Sequence, residues 1–228
     1  MEAQAPAGMP EAARIKASKQ MSKILRHKPP REIDTSGWVP LPVLTALITP
    51  PPSEADVRAI VGADSKGRFV LDDSTRPPRI RAAQGHSVQL PAPLLHPVAD
   101  PSRIPAAVHV TSQEGWRAIQ ESGELRRMSR THVHFATAPN HARANAWATA
   151  SLLLDLRGAM EAGLEFFTST NGVLLCEGPV PIRFLRPAAE GEVEGLFAAA
   201  RDGGDGGGED GGAGCGGDGG AGGSQGGG

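Results

Sequence analysis

The sequence predicts an α+β chain in two parts, a winged-helix-like N-terminal lobe followed by a lobe on a mostly antiparallel sheet. Three observations carry that expectation. Helical periodicity is followed by two β-like runs within the first 90 residues, prolines crowd 91–105, and short strand-like runs with a hairpin signal come after them.

In the first part, Ala12–His27 places Ile15, Met21, Ile24 and Leu25 on one helical stripe among lysines and arginines. Pro29 and Pro30 end that helix, leaving Arg26 and His27 in its last turn. A short second helix fits Val43–Ile48. A third starts at Ser53, with Asp56 completing a capping-box variant ahead of Val57, Ile60 and Val61. Arg68–Leu71 and Arg79–Ala82 then read as two strands of a wing.

Pro91, Pro93, Pro97, Pro101 and Pro105 mark 91–105 as an extended linker. Beyond it, strands are expected at Ala107–Val110, Thr131–Ala136, Ser151–Leu156, Phe166–Ser169 and Val173–Cys176. Helices are expected at Ser112–Ser122 and around His141–Ala148, and Asn171-Gly172 signals a hairpin. The expected units are a flexible 1–17, a winged-helix-like lobe at 18–90, a linker at 91–105, a second lobe at 106–190 and a flexible tail at 191–228.

Composition supports the tail, because Asp202–Gly228 holds 17 of the 30 glycines and nothing aliphatic larger than alanine. Setting its five acids aside moves the formal charge from −2 to about +3, so the foldable part is mildly basic. Two cysteines, Cys176 and Cys215, are too few for a disulfide framework and fit a reducing compartment. No apolar run approaches a membrane span and no signal-peptide core precedes Ser18. A cytosolic or nuclear monomer with no membrane partner is expected.

The chemistry-bearing residues are cations. As a strand, 129–135 puts Arg130, His132 and His134 on one face and Thr131, Val133 and Phe135 on the other. The His-x-His spacing could offer two metal ligands, but no third stands at convincing spacing, and no metal is expected. Arg26, His27, Arg81, His86 and His109 are likewise cationic or can become so, and no carboxylate lies inside these motifs as a general base. Such a set suits a ligand that arrives already ionised. Arginine grips phosphate through paired, charge-assisted hydrogen bonds that lysine does not reproduce.

Six motifs in order give the chain a family resemblance: SKQMSKILRH at 18–27, DTSGWV at 34–39, KGRF at 66–69, IRAAQGHS at 80–87, RTHVH at 130–134 and STNGV at 169–173. Together they resemble the RNA 2′-phosphotransferase family over roughly residues 18–187. The resemblance implies an NAD⁺-consuming enzyme that removes an internal RNA 2′-phosphate, as at a tRNA splice junction. It implies two steps through an ADP-ribosylated RNA phosphate, releasing nicotinamide, 2′-hydroxyl RNA and ADP-ribose 1″,2″-cyclic phosphate. It also implies that the second lobe is ADP-ribosyltransferase-like.

Carried over by motif, the catalytic set is Arg26, His27, Arg81 and Arg130. The NAD-contacting set is His109, Thr111, His132, His134, Ser169, Asn171 and Val173, with either His132 or His134 facing the ligand. RNA and phosphate contacts fall to Lys23, Gln84, Gly85, His86 and Ser87. His27 would handle a proton or a hydrogen bond in the second step, its helix C-terminus favouring the charged form. Where the family shows His-Gly-Thr, this chain has His109-Val110-Thr111, and strand alternation predicts that Val110 faces the core. The alternatives are an ADP-ribosyltransferase acting on protein or on nucleic-acid terminal phosphates, and a non-catalytic RNA-binding module.

Overall fold

The computed structural model describes residues 9–142 and 146–202. Helix α1 (Glu11–His27) buries Ala17, Ser18, Met21 and Leu25; of the expected stripe Met21 and Leu25 are buried, Ile24 is half-buried and Ile15 is exposed. Strand β1 (Val39–Pro40) leads into α2 (Leu41–Ala46), which begins two residues before the expected start, with Pro42 in its first turn. Helix α3 (Glu54–Gly62) carries the capping box as expected. The Ser53 hydroxyl accepts from Asp56 N at 3.1 Å while Asp56 accepts from Ser53 N at 3.0 Å.

Strands β2 (Phe69–Asp72) and β3 (Arg79–Ala82) pair antiparallel with Val70 opposite Arg81, and β1 adds a third strand on the other side of β3. Met21, Leu25, Val39, Leu44, Val57 and Ile80 close a core between this sheet and the three helices. The sheet makes β3 the central strand, with β1 opposite Arg79 and Ile80 and β2 opposite the whole strand through Ala82.

The proline-rich stretch is more than a linker. It contains β4 (Leu95–Pro97), which pairs with a strand 70 residues on, and a 3₁₀ turn at Pro101–Arg103. Prolines are tolerated because β4 is an edge strand. Strand β5 (Val108–Thr111) and α4 (Gln113–Ser122, capped by Ser112) follow as expected. Strand β6 (Glu124–Leu125) was not expected. Strand β7 covers only Val133–Phe135, so Arg130 lies in a bend and shares no strand face with His134. Residues 126–132 find no sheet partner, and Thr131 N donates instead to His86 O at 3.0 Å.

No helix occupies the described part of 141–148, which shows a 3₁₀ turn at Pro139–His141 and a turn at 146–147; residues 143–145 lie outside the described residues. Then come β8 (Ala150–Leu154), α5 (Leu156–Glu161), β9 (Phe167–Ser169), β10 (Leu174–Cys176), β11 (Val180–Pro181) and β12 (Leu185–Pro187). Two antiparallel sheets result, β4-β9-β10-β7 and β12-β8-β5, joined through the Val108–Ala136 bridge, with β11-β6 as a two-stranded pair. The α+β expectation therefore stands.

Helix α6 (Glu192–Asp202) corrects the expected tail boundary at 191. Phe197 is 3 % exposed and packs with Ala106, Val108 and Leu153, and with the partly buried Val193 and Leu196 it anchors the helix. Val110 is partly buried against the same cluster but also borders the large cavity, so the alternation expected along β5 holds only in part. Among the described residues no helix is long and apolar enough to cross a membrane.

Candidate active site

The site begins where α1 ends. The turn after β3, Gln84-Gly85-His86-Ser87, folds back onto that end. Ser87 N donates to Arg26 O at 2.9 Å, and Ser87 Oγ lies 3.0 Å from His27 Nδ1. Gly85 has φ +85°, and a Cβ there would stand 3.5 Å from the Arg26 guanidinium. Glycine is thus required for the left-handed turn, whereas a Cβ would make only ordinary contact with the guanidinium. His86 O then accepts from Thr131 N, tying the turn to the bend that carries Arg130.

These links draw together side chains distant in sequence. Arg26 and Arg130 both act on His27 and on His134, while Arg26, Arg81, His27 and His132 all act on His86. The consequence is a set of neutral imidazoles. Burial first, then Arg26 and Arg81, hold His86 down to about 4; burial and then Arg130 hold His134 down to about 3. His27 is lowered as well, by burial, Arg26 and Arg130. The nearby cations and burial outweigh the helix C-terminus, contrary to the expectation that His27 is charged.

Arg81 does not sit at an open mouth. It is 4 % exposed, its guanidinium lies 5.1 Å from the Trp38 ring centre, and Nη2 donates to Thr170 Oγ1. Its Nε is buried without a hydrogen-bond partner among the described residues, as are Nε2 of His86 and of His134. An orphaned buried donor costs on the order of 1–3 kcal/mol, a cost that an incoming acceptor removes.

Beside this cluster opens a cavity of about 780 Å³. Arg26, Lys66, Arg68, Arg126, Arg127 and Arg130 line it against the single carboxylate of Glu124. Arg68 and Arg126 have carboxylate partners, Asp64 at 2.9 Å and Glu124 at 2.6 Å. Lys66 and Arg127 donate to the Ala142 and Thr131 carbonyls, which hold the charges without neutralising them. The cavity is large enough for a dinucleotide-sized ligand and electropositive enough to favour phosphates.

Of the expected NAD-contacting residues, His109, Thr111, His132, His134, Asn171 and Val173 line this cavity. His109 Nδ1 donates to His134 O at 3.0 Å, and its ring meets Phe135 edge-on. Both His132 and His134 border the space, so the structure does not make them alternatives. Ser169 is absent from the lining. It is buried in the hairpin, its hydroxyl bonded to Asn171 Oδ1 at 2.8 Å and Val173 O at 3.1 Å. Gly172 at φ +80° makes that turn.

Lys23 is exposed on α1 and lines neither the cavity nor the turn beside it. Thr170, Lys66 and His141 are site neighbours that motif reading did not single out; His141 Nδ1 lies 3.1 Å from Thr137 Oγ1 at the cavity edge. His132 and His134 do not gather a third ligand, since no group of three or more His, Cys, Asp or Glu side chains meets among the described residues.

The family model described as RNA 2′-phosphotransferase, Tpt1 / KptA family, matches residues 12–178. A probable RNA 2′-phosphotransferase of Rhizobium leguminosarum bv. trifolii is 37% identical over 181 residues, covering 75% of this chain and 93% of that one. One from Streptomyces griseus is 38% identical over 192 residues, covering 78% and 98%. The tRNA 2′-phosphotransferase 1 of Bos taurus is 32% identical over 197 residues, covering 77% and 75%.

Proposed function

The chain belongs to the RNA 2′-phosphotransferase family, a family of transferases, and from that premise we propose that it transfers an internal RNA 2′-phosphate, as at a tRNA splice junction, to NAD⁺. The observation that carries the reading is the gathering of Arg26, Arg81, Arg130 and three histidines around the end of α1, beside a cation-lined cavity. The N-terminal lobe, winged-helix-like, presents the RNA, and the ADP-ribosyltransferase-like lobe presents NAD⁺. The protein acts as a cytosolic or nuclear monomer.

The physical roles follow from the charges. The 2′-phosphate is already ionised and needs no base to attack the ribose carbon that loses nicotinamide. What it needs is orientation, supplied by Arg26, Arg81 and Arg130. In the second step the ribose 2″-hydroxyl attacks phosphorus and the RNA 2′-oxygen departs, so negative charge builds on the phosphoryl oxygens. The same guanidiniums stabilise it.

The lowered pKa of His27 supports a proton-handling role, because the neutral ring is the dominant form at neutral pH. With Nδ1 donating to Ser87 Oγ, Nε2 accepts the hydroxyl proton and returns it to the departing RNA oxygen. The cavity lined by His109, Thr111, His132, His134, Asn171 and Val173 takes the nicotinamide riboside end.

The test is direct. The protein is incubated with NAD⁺ and an oligoribonucleotide bearing one internal 2′-phosphate. Loss of the phosphate with release of nicotinamide supports the reading. A stable ADP-ribosyl adduct would convert it to an ADP-ribosyltransferase, and RNA binding without any product would reduce it to a binding module.

A further inference from the structure

We propose that Thr170 is a positioning residue for Arg81: its hydroxyl, reaching across from the β9–β10 turn, holds the guanidinium where it recognises the RNA 2′-phosphate. The inference rests on the 2′-phosphotransferase reading, and adds a residue on which selectivity for phosphorylated RNA depends.

The geometry restricts Arg81 in two ways. The Trp38 ring, 5.1 Å from Cζ, restricts movement of the guanidinium across its face. The bond from Nη2 to Thr170 Oγ1 restricts rotation within its plane. Nε remains a buried donor with no partner among the described residues. A guanidinium fixed on two sides and unsatisfied on a third is preorganised to take an acceptor there.

The turn that supplies Thr170 is itself anchored. Asn171 Nδ2, one residue on, donates to Lys66 O at 2.8 Å. Lys66 precedes β2 and Arg81 sits on β3, so two adjacent side chains of one turn hold the loop leading into β2 and strand β3. Asn171 and Lys66 also line the large cavity, which makes the turn common to both proposed substrate sites.

The chemical choice of threonine matters as much as its place. A hydroxyl is a neutral acceptor, so it orients the arginine while leaving the positive charge available to an anion. An aspartate would orient it more strongly and cancel the charge.

The experiment compares two oligoribonucleotides that differ only in one internal 2′-phosphate, with binding measured on the full chain. Thr170→Val keeps the shape and removes the acceptor; it should weaken binding of the phosphorylated RNA by about tenfold, as expected for a lost hydrogen bond to a charged group. Binding of the 2′-hydroxyl RNA and the KM for NAD⁺ should stay unchanged, which a merely structural role would not predict. Thr170→Ser should restore discrimination. Thr170→Asp, which keeps an acceptor, should lose it.

Thr170 is exposed in a turn, so these variants spare the core, and equal Tm values verify that. Undiminished discrimination by Thr170→Val, or equal losses for both RNAs, overturns the proposal alone. A wild-type chain that removes no phosphate and does not distinguish the two RNAs overturns the functional reading and the proposal with it.

Discussion

The two ends of strand β3 carry one arginine each, and they are used in opposite ways. At the outer end Arg79 lies 4.8 Å from the Trp38 ring centre, with Asp72 at 2.9 Å and Asp34 at 3.5 Å. At the inner end Arg81 approaches the same ring, but its hydrogen bond goes to the neutral Thr170 hydroxyl, and burial pulls its pKa down against the opposing pull of Asp34. The outer arginine is matched by carboxylates and serves the hairpin. The inner one is buried with no carboxylate in ion-pair contact among the described residues and only Asp34 acting at longer range, which costs stability and is tolerated where an anion is to be recognised.

The largest expected effect breaks or upholds that contrast directly. Arg81→Ala should reduce 2′-phosphate release by about 10²–10³-fold, the range for removing one preorganised charge-stabilising donor. Arg81→Lys should fail to rescue it, because an ammonium cannot be held against both Trp38 and Thr170 in the same way. Arg79→Ala should leave turnover within about twofold and lower stability by at most about 1 kcal/mol, as for other partly exposed ion pairs. Equal losses from the two alanine variants would mean that the ends are not functionally distinct.

Acid sharpens the comparison next. His86 at the inner end is held down to about 4, below the ordinary 6.5, so the fold favours its neutral form. Its contribution is complete above pH 6.5, is lost as pH falls through about 4, and amounts to roughly 3 kcal/mol. The outer-end carboxylate of Asp72, held at about 2 by Ser74 and Arg79, weakens only below the ordinary 3.8. Denaturation midpoints from pH 7 to pH 4 should therefore fall while the outer end is still intact. A flat profile would show that the inner end is hydrated and its histidine unperturbed.

A third test asks whether strand alternation separates structural from functional residues on β5 as position does on β3. Val110 is partly buried against the Phe197 cluster and, like its neighbours His109 and Thr111, also lines the cavity. Val110→Gly should lower stability by about 1–2 kcal/mol through lost burial and added chain freedom. NAD⁺ titration should show no gain in affinity; tenfold tighter binding would mean that valine intrudes on the ligand. The smallest effect belongs to the glycine-rich end. Removing 203–228 should change neither turnover nor Tm by more than about 1 °C, since its composition offers nothing to bury.

What could be read from the sequence was local. The Ser53–Asp56 capping box, the helix after Ser112, the bounds of β3 and the Asn171-Gly172 turn depend on residues within a few positions of one another, and all appear. The motifs also identified most of the side chains that meet at the site. What they could not specify was state and partnership. Arg130 falls in a bend because His86, 45 residues earlier, takes its neighbour's amide, and β4 forms because β9 accepts a proline-bearing edge. Phe197 turns the start of an expected tail into a helix by finding Val108 and Leu153. Thr170 meets Arg81 from 89 residues away. Burial, and with it the neutral histidines and the buried arginine, exists only once distant segments have excluded water, so tertiary structure alone decides which of these charges are structural and which are left for an anion.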